Sequence, residues 1–486
     1  MQNQYLDLGK SDIKNGKYLL AVFKLSAYGK KSILDAASEV AAESSTGSNV
    51  TVGTATDFSK KMDAKVYEID EDKHLAYIAY PWRIFDRGGN IQNILTFIAG
   101  NIFGMSELSG CKLLDVYFPP QMLALYDGPS TTLDDLRKDL QVFDRPILGS
   151  IIKPKIGLKP HEYAKICFDF WSGGGDFVKN DEPQADQNFA PFNQTVNEVS
   201  EALEDARNAT GRPKVHSFNV SSPDFYTMLK RADYIIKVMP KGSYAFLIDG
   251  VTAGWSAVQT LRRYYPDIFI HFHRAGHGAF TRKENPFGYS VLVLTKFARL
   301  AGASSIHTGT AGVGKMAGSP EEDVTAAKQA LRLKSKGRFF DQLWTSLSEN
   351  DSTIQKAIGE EVNHWKKSPR AISNERKQAA DLEKLSDTET PWNSIKKTCP
   401  IASGGLNPVL LPKFIETIGT IDFIVTMGGG IHSHPSGTKA GIKAVIQAYE
   451  AWQQNTPLDK YAKSHSELKQ AMEFFNKKES QTHEKK

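Results

Sequence analysis

The chain has 486 residues, with 60 Lys and Arg against 55 Asp and Glu, a net charge of +5, and 40% hydrophobic and 24% charged residues. That length exceeds one small core and suits a large barrel domain plus a smaller partner domain. The basic residues are spread along the chain without an aromatic-interleaved stripe, which excludes nucleic acid as an expected partner, while the small positive charge suits an anionic small molecule. No segment stays apolar for the length of a membrane span and the amino terminus lacks an apolar signal core, so a cytoplasmic protein with no membrane partner is expected. Cys111, Cys167 and Cys399 lie far apart with no zinc spacing, and are read as buried structural thiols.

Residues 1–124 mix strand-like runs at 17–25, 64–69 and 75–81 with helical runs at 31–43 and 91–102, which predicts a compact α+β domain. The polar segments 43–49 and 100–104 read as connecting loops. From about residue 146 the pattern becomes apolar strand, polar loop, helix, repeated. Strands are predicted at 147–152, 176–179, 214–220, 244–249, 268–273, 304–307, 400–402 and 423–427. Helices follow at 162–171, 194–208, 223–236, 254–265, 288–300, 321–333, 409–418 and 439–452. Eight such repeats predict an α/β protein whose C-terminal part, 125–453, is a closed (β/α)8 TIM barrel. An insertion of about 335–397 separates the sixth helix from the seventh strand, with Ile354, Ile358, Val362 and Trp365 at helical spacing; solvated decoration and a subunit-contact element both fit it. A helical tail, 454–486, with a helix at 466–476 and a frayed end beyond it, completes the chain.

A barrel gathers its active site at the carboxyl ends of its strands, so reactive side chains should follow the predicted strands. The first strand is followed by Lys153-Pro154-Lys155, the second by Lys179, Asp181 and Glu182, the fifth by His273-Arg274 with His277 nearby, and the sixth by His307. Gly309 to Lys315 is a glycine-hinged loop ending in lysine, read as a mobile lid. Ser403-Gly404-Gly405 and Gly428-Gly429-Gly430 follow the last two strands, where free backbone N–H groups can approach a phosphate. Singly, each has an ordinary structural reading; together they imply a small substrate with phosphate at both ends, bound across a metal.

The central stretch is Gly173-Gly174-Gly175-Asp176-Phe177-Val178-Lys179-Asn180-Asp181-Glu182-Pro183-Gln184. Strand alternation sends Lys179 and Asp181 to one side, with Glu182 following at the strand tip. Asp181 and Glu182 suit a hard dication such as Mg²⁺, which a protonated Lys179 would repel. A lysine that adds CO₂ becomes a carbamate and would supply a third anionic oxygen. A salt bridge in which Lys179 merely neutralises its acidic neighbours is the other reading of these twelve residues.

These motifs, with Ile152-Lys153-Pro154-Lys155, His271-Phe272-His273-Arg274, Ile306-His307-Thr308-Gly309-Thr310, Gly314-Lys315 and Ala402-Ser403-Gly404-Gly405, resemble ribulose-1,5-bisphosphate carboxylase/oxygenase (RuBisCO) from about residue 16 to 452. Asn180 and Pro183 look like form II, and the extra segment before the seventh strand looks like the form II/III group. The resemblance implies carboxylation, with competing oxygenation, of ribulose-1,5-bisphosphate to 3-phosphoglycerate through a Mg-bound enediolate, with one Mg²⁺ per site held by carbamylated Lys179, Asp181 and Glu182. It implies proton transfers by the Lys179 carbamate, Lys153 and His273, and stabilisation of the new carboxylate by Lys315. Arg274 and His307 match one phosphate anchor; Ser403, Gly404, Gly405, Gly428 and Gly429 match substrate and second-phosphate contacts, and Lys155 another active-site lysine. Glu43, Ser48 and Asn101 match positions supplied by a neighbouring chain, Ser48 standing where threonine is usual. A homodimer or a larger homo-oligomer of dimers, without small subunits, is implied. The form II/III resemblance further suggests salvage of nucleotide-derived substrate. A RuBisCO-like enolase or isomerase acting on another phosphorylated sugar is the alternative, disfavoured because Lys153, Lys315, Glu43 and Asn101 are all present. A noncatalytic scaffold would have no use for so many reactive groups at strand ends.

Overall fold

In this computed structural model the described residues are 4–13, 16–47, 52–315, 318–331, 339, 363 and 395–483. Nearly all of the 335–397 insertion therefore lies outside the described residues, as does Ser48. The described residues form thirteen strands: β1 (Tyr18–Ala27), β2 (Lys65–Asp70), β3 (Leu75–Pro81), β4 (Leu108–Tyr117), β5 (Ile147–Ile151), β6 (Phe177–Lys179), β7 (Val215–Asn219), β8 (Tyr244–Asp249), β9 (Ile270–His273), β10 (Phe287–Tyr289), β11 (Ser305–His307), β12 (Cys399–Ser403) and β13 (Ile424–Met427). They divide between two compact units.

One unit comprises Met1–Pro129, His277–Gly302 and Leu333–Lys396. Its sheet runs β10-β4-β1-β3-β2, antiparallel except that β10 lies parallel to β4. The apolar, aromatic-rich run of β1 is buried at most positions because both its neighbours are strands. Helix Ile33–Glu43 begins at Ser32, whose hydroxyl accepts from the Asp35 N–H while the Asp35 carboxylate accepts from the Ser32 N–H. Ala36, Ala37, Val40 and Ala41 form its buried stripe, which leaves Glu43 at the carboxyl end. Two features differ from the sequence reading. β4 lacks an alternating pattern around Gly110-Cys111-Lys112, yet it is the inner partner of β1. The run predicted as one helix from Gly288 first pairs as β10, and the helix Val291–Ala301 starts only where the Ser290 hydroxyl caps the Val293 N–H.

The other unit comprises Ser130–Gly276, Ala303–Arg332 and Lys397–Lys486. Its strands close a barrel in the order β5-β6-β7-β8-β9-β11-β12-β13, all neighbours parallel. Strands covered on both faces read as continuous apolar runs, and β7 and β13 are buried at every residue. At Gly149 on β5 an added Cβ would lie 3.0 Å from the Phe177 carbonyl oxygen and 3.1 Å from that of Val425, so only glycine fits between β6 and β13. Helix Leu133–Leu140, absent from the sequence reading, packs Leu133, Leu136 and Leu140 onto Ile147, Phe177, Val215 and Ile424 at the amino ends of the strands. The carboxyl ends are left for chemistry. The terminal helix also runs further than expected, Ser466–His483, its start tied down by Leu468 against Ala448 and Ala462.

The turn into β6 is fixed by a buried ion pair. Arg145 donates to both Asp176 oxygens at 2.5 and 2.8 Å, and Asp176 also accepts the Leu148 N–H at 2.9 Å. Removing one member strands the other charge in the interior, so Asp176→Ala is expected to destabilise the protein by about 3–5 kcal/mol. A denaturant titration checks this, and a loss under about 1 kcal/mol, the scale of an exposed pair, would contradict it.

Candidate active site

β6 ends on Lys179, whose side chain is fully buried and whose Nζ has no hydrogen-bond partner among the described residues. Burial pulls its pKa down to about 8, against the opposing pull of Asp181, Glu182 and Asp249. An unsatisfied ammonium in that position is costly, and losing its proton relieves the cost.

The chain then turns, and Asp181 and Glu182 each meet a lysine from the β5 loop. Lys153 Nζ lies 2.5 Å from Asp181 Oδ2 and Lys155 Nζ 2.7 Å from Glu182 Oε1. Burial pushes the Asp181 carboxyl up, and its hydrogen bond with Glu182 adds to the rise. In Glu182 the same burial is overcome by hydrogen bonds from Asp181 and Lys155, which hold its carboxyl well below the usual range. Of the two acids, Asp181 keeps a proton the more readily and Glu182 stays ionised.

The next strands carry the second half of the site. His273, at the end of β9, donates from Nδ1 to Asp249 Oδ1 at 2.7 Å, and its Nε2 points to Glu182 Oε2 at 3.6 Å. Burial lowers its pKa despite Asp249, which favours the neutral ring, and the Ala275 N–H also approaches Nδ1 at 3.2 Å. His271 and His307 face each other at 2.9 Å between Nε2 atoms, and burial drives both pKa values well down. Arg274 is buried, and its Nη1 has no hydrogen-bond partner among the described residues, a guanidinium edge suited to an anion.

Two glycine turns close the ring. The Lys315 N–H donates to the Gly404 carbonyl at 3.0 Å, and a Cβ at Gly405 would fall 2.6 Å from Lys315 Cγ. Lys315 thus rests against the turn after β12, its side chain exposed. A Cβ at Gly428 would press within 2.8 Å of Lys153 Cε. Gly429 opens a short helix, Gly429–His432.

The structure thus brings Lys153, Lys155, Lys179, Asp181, Glu182, His273, Arg274, His307, Lys315, Ser403, Gly404, Gly405, Gly428 and Gly429 to one end of one barrel. In the other unit Asn101 Nδ2 donates to Glu43 Oε1 at 3.2 Å. Asp249 and Asn219, which the sequence reading does not name, also stand at strand ends, as the last residues of β8 and β7. A small pocket of about 30 Å³ opens beside the lysines and acids rather than over them, lined by Ile156, Leu158, Asn180, Gln184, Phe189 and Phe218.

Among the described residues no three His, Cys, Asp or Glu side chains are grouped to hold a metal ion. Asp181 and Glu182 offer oxygens for a hard dication but are only two residues. A partnerless amine in the field of both acids fits such an ion once it carries a carboxylate of its own. The donor set therefore fits Mg²⁺ with a carbamate on Lys179.

Family models for the ribulose bisphosphate carboxylase large chain match this sequence, the N-terminal domain over residues 5–122 and the catalytic domain over 132–367 and 367–475. Ribulose bisphosphate carboxylase of Rhodopseudomonas palustris (strain BisB5) is 39% identical over 490 residues, covering 97% of this chain and 95% of that protein. The corresponding protein of Paramagnetospirillum magnetotacticum is 38% identical over 485 residues, covering 97% and 95%. Among solved structures, octameric Rubisco from Pyrococcus horikoshii OT3 superposes with a TM-score of 0.80 at 31% identity, covering 98% of this chain and 96% of that one. Dimeric archaeal Rubisco from Hyperthermus butylicus gives 0.79 at 33% identity, covering 97% and 98%. With both domains matched in order and four-tenths identity to curated relatives along nearly its whole length, the chain belongs to the ribulose bisphosphate carboxylase large-chain family.

Proposed function

We propose that this protein carboxylates ribulose-1,5-bisphosphate, joining it with CO₂ and water to give two molecules of 3-phosphoglycerate, with O₂ as a competing reactant. The observation that carries the reading is the fully buried, partnerless amine of Lys179 beside Asp181 and Glu182 at a barrel strand tip. Lys179 would take up an activator CO₂ as a carbamate, and Lys179, Asp181 and Glu182 would together hold one Mg²⁺. The metal, when bound, polarises the substrate C2 carbonyl and C3 hydroxyl and so acidifies the C3 proton.

The Lys179 carbamate oxygen removes that proton. Lys315 sets its ammonium where the new carboxylate gains charge. His273, its Nδ1 proton committed to Asp249, offers Nε2 as the base for hydration at C3, and Lys153 returns a proton to C2 of the product carbanion. Arg274 and His307 anchor one phosphate; Ser403, Gly404, Gly405, Gly428 and Gly429 contact the substrate and its second phosphate, with Lys155 beside them. Glu43, Ser48 and Asn101 are contributed by a second copy of the chain, so a homodimer is the smallest active unit and no small subunit is needed. The octameric and dimeric structural neighbours support homo-oligomers of this kind. A role in salvage of nucleotide-derived substrate fits the form II/III resemblance.

Purified protein given ribulose-1,5-bisphosphate, Mg²⁺ and labelled bicarbonate should place acid-stable label in 3-phosphoglycerate. Folded protein that exchanges the C3 proton yet incorporates no label would be an enolase or isomerase instead. Activation also has a pH signature. Only the free amine adds CO₂, and a Lys179 pKa lowered to about 8 means the reactive fraction rises as pH climbs through about 8. The activation rate at fixed dissolved CO₂ should rise with that midpoint; a midpoint near the ordinary lysine value of roughly 10.4 would contradict it.

A further inference from the structure

Tyr163 lies in helix Pro160–Ser172 and is buried, its hydroxyl 3.0 Å from His216 Nε2 on β7 and 3.1 Å from Asn180 Nδ2. An amide nitrogen only donates, so the Tyr163 oxygen accepts from Asn180, with His216 Nε2 as its second neighbour. Burial keeps His216 neutral by lowering its pKa to about 3, so no imidazolium competes for the phenol. The bond from Asn180 Nδ2 to the phenol fixes which end of the Asn180 amide faces which neighbour.

With Nδ2 committed to Tyr163, Asn180 Oδ1 accepts the Asn219 N–H at 3.0 Å. Asn219 Nδ2 donates to the carbonyls of Glu182 and Gln184, both at 2.9 Å, and Gln184 Oε1 accepts the Asp181 N–H at 2.8 Å. The turn carrying Asp181 and Glu182 is thus tied to β7 by buried amides, and the tie begins at a phenol that touches neither acid. Deleting the Tyr163 hydroxyl leaves His216 Nε2 and Asn180 Nδ2 both without their partner and frees the Asn180 amide to turn over.

We infer that Tyr163 is a positioning residue: acting through Asn180 and Asn219, it sets the aim of Asp181 and Glu182 and so the capacity of the Lys179 site to hold Mg²⁺. The inference rests on the reading of Lys179 as the carbamate carrier. Groups that orient metal ligands from outside typically matter by roughly 10- to 100-fold in metal affinity.

The test is a Mg²⁺ titration of the full-length protein in ¹³C-bicarbonate, following the lysine carbamate carbon by NMR, with a melting curve on each sample. Tyr163→Phe is expected to stay folded and to need about 10- to 100-fold more Mg²⁺ for half of the carbamate signal. A purely structural tyrosine would lower the melting temperature without moving that midpoint. Folded Tyr163→Phe with a midpoint within twofold of the parent overturns the inference. Should this variant fail to fold, Asn180→Leu, similar in volume and unable to bond Tyr163 or Asn219, decides by the same two limits. A parent protein with no carbamate signal defeats the reading of Lys179 and this inference with it, whereas a normal parent and an unshifted variant defeat the inference alone.

Discussion

Lys179→Ala is expected to lose activation by CO₂ and Mg²⁺ and to carboxylate at least about 10³-fold more slowly, because one substitution removes a metal ligand and a base whose contribution alone is roughly 10²–10⁴-fold. The fold should survive. The parent structure bears the cost of a buried, partnerless amine, and the alanine variant exchanges that cost for a cavity. Calorimetric titration of the variant should show Mg²⁺ binding no longer enhanced by bicarbonate. Retention of carboxylation within tenfold of the parent would mean that Lys179 is a structural cation and that the metal ligands lie elsewhere.

Lys315→Ala separates two halves of the reaction. The Lys315 side chain is exposed, and its contact with the Gly404 carbonyl is made by backbone N–H, so alanine removes the ammonium and leaves that anchor in place. Exchange of the substrate C3 proton depends on Lys179 and its neighbours and should change little. Carboxylation should fall by roughly 10²–10³-fold, the usual cost of losing one group aimed at developing negative charge. Tritium release from C3 and label incorporation from bicarbonate, measured on the same preparation, distinguish the steps. Equal loss of both would show that Lys315 is needed before the substrate is enolised.

The barrel was legible because β5 to β9 and β11 to β13 are short apolar runs, each ended by a polar loop and followed by a helix. That same rule located Lys153, Lys179, His273 and His307 at strand ends. It missed Asp249 and Asn219, because Asp and Asn after a strand also serve as ordinary turn formers and nothing in their spacing distinguishes the two uses. β4 was missed because Gly110 and Lys112 break its alternation, and its place in the sheet comes from pairing with β1, which no local pattern shows. Helix Leu133–Leu140 did carry a signal, Thr132 and Asp135 as a capping box ahead of leucines at helical spacing. The tie from His216 through Tyr163 to Asn180 joins residues 53 and 17 apart in sequence, and its meaning depends on burial, a property of the folded chain. The lowered pKa of Lys179 is of the same kind: sequence supplies the lysine and the acids, and the closed barrel supplies the desolvation.

A crystal structure of the protein grown with bicarbonate and Mg²⁺ is the direct measurement. The expected result is planar density for a carboxylate joined to the Lys179 nitrogen, with one of its oxygens, Asp181 and Glu182 around a single metal ion at about 2.0–2.1 Å. An unmodified Lys179 nitrogen, with the metal bound by other side chains or not bound at all, would contradict the account.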